Sequence, residues 1–235
     1  MDLSDKQIQR LAGLDDSSFI ELDGVLLDPR AAAAFENLQT DAANFGFDLK
    51  IASAFRSYSR QLEIWNGKVS GSRPVLDDQN VVVDLTTLSK RDCLDRILRF
   101  SALPGTSRHH WGTDIDVFDA AAMPEGYRLR LTPDETTGAG VFAPLHRWLD
   151  GMISAGDSHG FYRPYDRDRG GVAPERWHLS YAPKASEYQG LVSPAFVQTL
   201  WDYSSGAELP LLRETLEPHL ATLIERFVDR VAPLP

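Results

Sequence analysis

Between Thr113 and Phe118 the chain alternates strictly, with Thr113, Ile115 and Val117 on one set of positions and Asp114, Asp116 and Phe118 on the other. Successive side chains of a strand point to opposite faces, so a short strand here sets both carboxylates on one face and Ile115 and Val117 on the other. A chain built around such a strand needs a packed layer on one side and polar chemistry on the other.

The neighbouring segments supply that layer. Asp28 and Pro29 read as N-cap and first helical residue, Phe35, Leu38 and Ala42 follow at helical spacing, and Gly46 closes the helix. Phe47, Leu49 and Ile51 alternate with Asp48 and Lys50 as in a half-buried strand. Ser57 then starts a helix carrying Gln61, Leu62 and Trp65 and ending at Gly67. Residues 69–80 read as an exposed loop, Ser89 to Phe100 as a helix through Leu94, Ile97 and Leu98, Pro144 to Ala155 as a helix, and Trp177 to Ala182 as a strand. Strands and helices do not alternate regularly enough for a doubly wound parallel sheet. The pattern predicts an α+β fold with a small, largely antiparallel sheet and packed helices. From Lys184 the chain is mainly helical, with Ala221, Ile224, Phe227 and Val228 as an apolar stripe. We read residues 1–183 as one domain and residues 184–235 as a helical extension packed on it.

Against 34 acidic residues stand 24 basic ones, a net charge of −10. Nucleic acid and anionic membrane surfaces are poor partners for such a chain, because binding them needs clustered Lys and Arg. No stretch approaches the roughly 18 consecutive apolar residues of a spanning helix. The opening residues Met1 to Lys6 are polar and lack the basic-then-apolar order of a signal peptide, which predicts a cytoplasmic protein, the alternative being a periplasmic or extracellular one whose export signal is not in this sequence. Cys93 is the single cysteine, so an internal disulfide and a Cys-rich zinc site are both excluded. It falls within a helical pattern and reads as a small core residue. Any metal must be held by His and carboxylates.

Those residue types concentrate in two places. Ser107 to Asp116 holds His109, His110, Asp114 and Asp116, and Glu175 to His178 adds a carboxylate and an imidazole. A catalytic zinc takes three N/O ligands and a water. Two His and one Asp satisfy it, with a spare carboxylate left as a base. His109 and Asp116 lie an odd seven positions apart, so an uninterrupted strand would separate them, and Gly112 offers the turn that unites them. A polar surface loop and a buried Trp beside a hydrogen-bonded His are the plain alternatives for the two segments, and His110 competes with His109 as a ligand.

Ser107-x-His109-x-x-Gly112-x-Asp114-x-Asp116 resembles the SxHxxGxAxD signature of the zinc D-alanyl-D-alanine carboxypeptidases of the vancomycin-resistance type, whose wider group includes D,D-dipeptidases and hedgehog-like domains. Glu175-x-Trp177-His178 resembles their ExWH signature, and Ser53 to Tyr58, with Gln61 following, resembles their SGYRSxxxQ segment. The three motifs stand in the family's order, about 50 and about 65 residues apart, and cover about residues 45–183. The resemblance implies the D,D-peptidase fold, with Zn2+ bound by His109, Asp116 and His178. It makes Glu175 the catalytic base, and Arg56 the residue that contacts substrate and offsets developing charge. Ser107 and Gln61 would line the substrate site. The implied reaction removes the C-terminal D-amino acid from a peptidoglycan-type stem peptide. A D,D-dipeptidase, an L,D-carboxypeptidase or a phage-type endopeptidase would use the same residues, and a zinc-binding module without hydrolysis is the alternative outside the enzyme class.

The chain departs from the family pattern at Asp114, where the signature has a small Ala, and at Ala54, Phe55 and Arg176. Asp114 is expected either to orient a ligating His or to stand in the substrate pocket. Trp111 and Trp177 read as core or pocket walls, His146, His159 and His219 as ordinary packed or surface residues, and Asp166 to Gly171 as a solvated loop bordering the cleft.

Overall fold

In the computed structural model, which describes residues 3–204 and 206–235, the chain opens with α1 (Asp5–Leu11) and a hairpin of β1 (Ile20–Leu22) and β2 (Val25–Leu27). Met1 and Asp2, part of the opening stretch read for localisation, lie outside the described residues, as does Ser205 of the C-terminal segment. Then come α2 (Pro29–Asn44), β3 (Leu49–Ser53), α3 (Tyr58–Val69) and α4 (Lys90–Leu98). After these follow β4 (Asp114–Asp119), a single turn α5 (Pro133–Thr136), α6 (Ala143–Ala155), β5 (Phe161–Tyr162) and β6 (His178–Tyr181). The C-terminal part comprises α7 (Ala182–Ala185), α8 (Pro194–Tyr203), α9 (Arg213–Leu216), α10 (Leu220–Ile224) and one π turn, Glu225–Asp229.

Strands β3, β4, β6 and β5 form one antiparallel sheet in that order. The register pairs Ile115 with Leu179, Asp116 with His178 and Asp114 with Ser180, so the apolar and polar faces of β4 continue onto β6. Ile115, Val117, Leu179 and Leu49 pack against Phe35 and Leu38 of α2 and Leu145 and Leu149 of α6. A second cluster joins α1, α3 and α4 to the C-terminal helices through Leu11, Trp65, Leu94, Ile97, Leu200 and Trp201.

The caps read from sequence hold their helices: Asp28 accepts from Arg30 N, Ser57 from Arg60 N and Ser89 from Asp92 N. Cys93 is buried, its thiol donating to Leu85 O at 3.3 Å. Three details differ from the sequence reading. Helix α3 runs past Gly67 to Val69, because Gly67 stays outside the left-handed conformation that would end it, which Gly71 takes instead; the Arg73 side chain lies on Gly67, where a Cβ would come within 2.9 Å of Arg73 Cδ. Strand β3 starts at Leu49 and not at Phe47, which packs instead against Trp148. In the C-terminal stripe Ile224 and Phe227 are buried and Val228 packs beside them, but Ala221 is exposed, because the larger Leu220 and Leu223 occupy the helix face that meets the core. Among the described residues, no helix is long and apolar enough to cross a membrane.

Candidate active site

Ser107 opens a tight 3-10 turn, Arg108–Trp111, which ends at Gly112 in the left-handed region with φ +69°. A side chain there would be strained, and a Cβ would meet the Phe19 ring at 2.7 Å. This turn solves the parity problem between His109 and Asp116 by swinging His109 back over the polar face of β4. His109 Nδ1 lies 2.9 Å from Ala54 O, which accepts its proton, and Nε2 then faces Asp116 Oδ2 at 3.4 Å. His178, opposite Asp116 across the β4–β6 ladder, is held from the other side: its Nε2 lies 2.9 Å from Asp114 Oδ1. Its Nδ1 points to Asp116 Oδ1 at 3.2 Å and Glu175 Oε2 at 3.5 Å.

The ligand atoms of His109, Asp116 and His178 all lie within 4.8 Å of one another, and all three residues are buried. Asp116 Oδ1 and His178 Nδ1 are buried with no well-formed hydrogen bond. Buried polar atoms are ordinarily satisfied. A pair that converges without bonding, inside a set of two imidazoles and a carboxylate, fits a divalent cation with N/O preference.

Asp114 takes no place in the cleft. It is wholly buried and receives hydrogen bonds from Arg108 Nε at 2.8 Å, Thr113 Oγ1 at 2.6 Å and Ser180 Oγ at 3.0 Å. Burial opposes its ionisation, but the Arg108 charge and the bond to His178 prevail and hold its carboxyl well below the usual range. It therefore fixes the proton of His178 on Nε2 and leaves Nδ1 free to coordinate. Without a metal, burial opposes a charge on His178, yet the bond to Asp114 and the nearby carboxylates of Asp116 and Glu175 raise its pKa well above the ordinary 6.5. Burial lowers His109 to about 4, so that imidazole is neutral at physiological pH. Glu175 is raised by burial, the direction that favours a proton acceptor working near neutrality.

His110 does not compete for the metal. Its Nδ1 donates to Arg56 O at 2.6 Å and its Nε2 accepts from Gly105 N at 3.1 Å, so both nitrogens are used inside the protein. Burial pushes it down to about 3. Its work is to anchor Arg56, whose own N–H donates to His109 O at 3.1 Å. The Arg56 guanidinium is held by Gln61 Oε1 at 3.0 Å and Ser53 Oγ at 3.2 Å, both neutral acceptors, and opens on the cleft. Gln61 is a correction to the sequence reading: it is fully buried behind Arg56, its amide spent on Arg56 and on Ala102 O at 2.7 Å, so it positions the arginine and does not line the cleft.

The cleft encloses about 350 Å³ and is lined by Arg56, Ser107, His109, Asp116, Glu175 and His178. Trp177 forms part of its wall, while Trp111 is core, stacked under the Arg108 guanidinium at 4.6 Å. The Asp166 to Gly171 loop is exposed over Asp166 to Asp168 and buried at Gly171, and Asp168 ties it to Arg99 at the end of α4 at 2.8 Å. Tyr165, Lys68 and Arg73 also line the cleft and went unnoticed in the sequence. None of them stands in a motif, and a loop or a helix end gives no periodic signal for what it faces.

Residues 24–184 match the family described as VanY, D-alanyl-D-alanine carboxypeptidase. The chain belongs to the VanY family. The match begins earlier than the motifs, taking in β2 and α2. Two uncharacterized proteins of Haemophilus influenzae are similar to this VanY-family chain. One is 46% identical over 77 residues, 33% of this chain and 53% of that protein. The other is 30% identical over 128 residues, 54% of this chain and 92% of that protein. The chain thus spans about half the length of the first relative and most of the second. Among solved structures, VanYB in complex with D-alanine-D-alanine shares the fold, with TM-score 0.50, 22% identity, and coverage of 80% of this chain and 88% of that one.

Proposed function

We propose that the chain is a zinc-dependent carboxypeptidase that hydrolyses the C-terminal D-amino acid, D-alanine above all, from peptidoglycan-type stem peptides. The observation that carries this reading is the convergence of His109 Nε2, Asp116 and His178 Nδ1 beside Glu175 in one cleft, with two of the buried atoms lacking hydrogen-bond partners. Membership of the VanY family supports the substrate class.

His109 through Nε2, His178 through Nδ1 and the Asp116 carboxylate would hold the ion. Zinc, when bound, supplies a Lewis acid that lowers the pKa of a water and polarises a carbonyl. Glu175 Oε2, 3.5 Å from His178 Nδ1, stands at the edge of the same point and takes the proton of the attacking water, then returns it to the leaving amine. Arg56, held without a carboxylate of its own, directs its donors into the cleft, where they offset negative charge growing on the scissile carbonyl oxygen. Ser107 contributes to the wall beside His109. Residues 1–183 carry this site, and the 184–235 extension supports it through the shared core.

The test combines metal analysis of the purified protein with mass spectrometry on matched D- and L-ended peptides. One zinc per chain and release of a single D-residue are expected. A zinc-loaded protein that cleaves none of the D-ended peptides would overturn the reading.

A further inference from the structure

Among the described residues, nearly every lysine or arginine that is buried or half-buried has a carboxylate oxygen within 4.0 Å, as Arg99 has Asp78 and Asp168, and Arg108 has Asp114. The exceptions are Arg56, Lys68 and Arg73, and all three line the same cleft. Arg130, on the rim, shows the contrast, for its charge is taken up by Asp134 and Glu135. Lys68 is fixed on the wall by donating from Nζ to Ser101 Oγ at 2.6 Å, a neutral partner. Arg73 is laid alongside it by the bare surface of Gly67 and by its own N–H, which donates to Gly67 O at 2.8 Å.

Charge withdrawn from water without an opposite charge is costly. The strain shows at Lys68, where burial, with Arg56 and Arg73 adding to it, pushes the ammonium down to about 8. Glu175 pulls the other way but approaches no closer than 4.0 Å to any of the three. A wall with two fixed, unpaired cations next to a hydrolytic centre is complete only when an anion arrives with the substrate.

We propose that Lys68 and Arg73 form a subsite for a carboxylate of the peptide substrate, separate from Arg56, which faces the reacting carbonyl. This rests on the peptidase reading of the cleft. The carboxylate is either the free C-terminus of the leaving residue or an acidic side chain on the acyl side.

Three forms of one peptide separate these sources: acetyl-D-glutamyl-D-alanyl-D-alanine, its C-terminal amide, and the same peptide with glutamine for glutamate. Binding is measured by calorimetry on zinc-loaded Glu175→Gln protein, alone and combined with Lys68→Met, Lys68→Arg or Arg73→Gln. Turnover is measured on the wild type. Lys68→Met and Arg73→Gln should each weaken the free acid about 10- to 100-fold, the scale of one charge-assisted hydrogen bond. Lys68→Arg should keep most of the affinity. The form lacking the engaged carboxylate should bind the parent protein equally weakly and lose nothing further on Lys68→Met, and which form does so identifies the source. Unchanged affinity in folded, zinc-loaded variants, or an equal loss for all three peptides, would overturn the subsite. If Lys68→Met does not fold, Arg73→Gln decides by the same criteria. A wild type that binds as described but releases no D-residue would count against the peptidase reading and leave the subsite standing.

Discussion

At the scale of single residues, the centre is organised by what occupies the back of each imidazole. Ala54 O takes the Nδ1 proton of His109 and Asp114 takes the Nε2 proton of His178, so the two rings present opposite nitrogens to one point. Asp114→Asn keeps the shape but gives up the charge that fixes His178. Zinc affinity measured by chelator competition should fall about 10- to 100-fold, the usual effect of losing such a partner, while circular dichroism shows the fold retained. Unchanged affinity would mean that Asp114 serves only Arg108. Glu175→Gln should retain zinc and lose about 10²–10⁴-fold in turnover; near-normal turnover would show that the proton goes elsewhere. In the metal-free protein His178 holds a proton well above 6.5, so zinc must displace it. Zinc affinity should therefore rise with pH through the neutral range, and a pH-independent affinity would contradict the assigned ligand. The ligand set was legible because few residue types bind metal and they cluster at Ser107 to Asp116 and Glu175 to His178. Which nitrogen coordinates, and that Gln61 stands behind Arg56, depend on contacts with Ala54, Asp114 and Ala102 that no local pattern encodes.

Among the elements, the 3-10 turn and β4 act as one unit whose hinge is Gly112. The alternation at Thr113 to Phe118 and the caps at Asp28, Ser57 and Ser89 were readable because they follow from local periodicity and local hydrogen bonding. The β1–β2 hairpin and the two-residue β5 were not, being too short to show a period, yet the hairpin fixes the turn: Asp28 N, just past β2, donates to Gly112 O at 2.9 Å. Gly112→Ala introduces a Cβ at a left-handed position already filled by the Phe19 ring. The backbone cost of about 1–2 kcal/mol adds to a packing cost of about 1–3 kcal/mol. The variant should show a lower thermal midpoint together with less than stoichiometric zinc, because the same turn carries His109. A loss of stability with full zinc occupancy would show that the turn matters for packing alone and that His109 reaches the centre without it.

For the whole molecule, the sheet side and the C-terminal side are joined around the cleft. The extension that showed no chemical motif in sequence packs Leu200, Trp201 and Phe227 into the cluster that holds α3, and Phe227 and Val228 reach the cleft wall. Its helical character and the burial of Ile224 and Phe227 were legible, but the π turn at Glu225–Asp229 was not, since a single extra residue leaves no periodic trace. Behind the sheet, His146 of α6 is wholly buried, and its Nδ1 accepts from Arg163 at 3.4 Å while Nε2 has no partner. A proton on Nδ1 would set donor against donor, and burial, reinforced by Arg163 and Arg176, lowers His146 from its ordinary 6.5 to about 3. The unfolded chain therefore binds a proton here that the folded chain refuses, between about pH 6.5 and about pH 3. Stability is full above that window and falls as the pH drops through it, by up to about 1.4 kcal/mol per pH unit from this residue. His146→Gln, which cannot be protonated, should flatten the dependence of the urea midpoint on pH between 6 and 4 relative to the wild type, even if it is less stable at pH 7. An unaltered slope would place the acid sensitivity in other groups, His109 and His110 first among them, since burial holds both neutral as well.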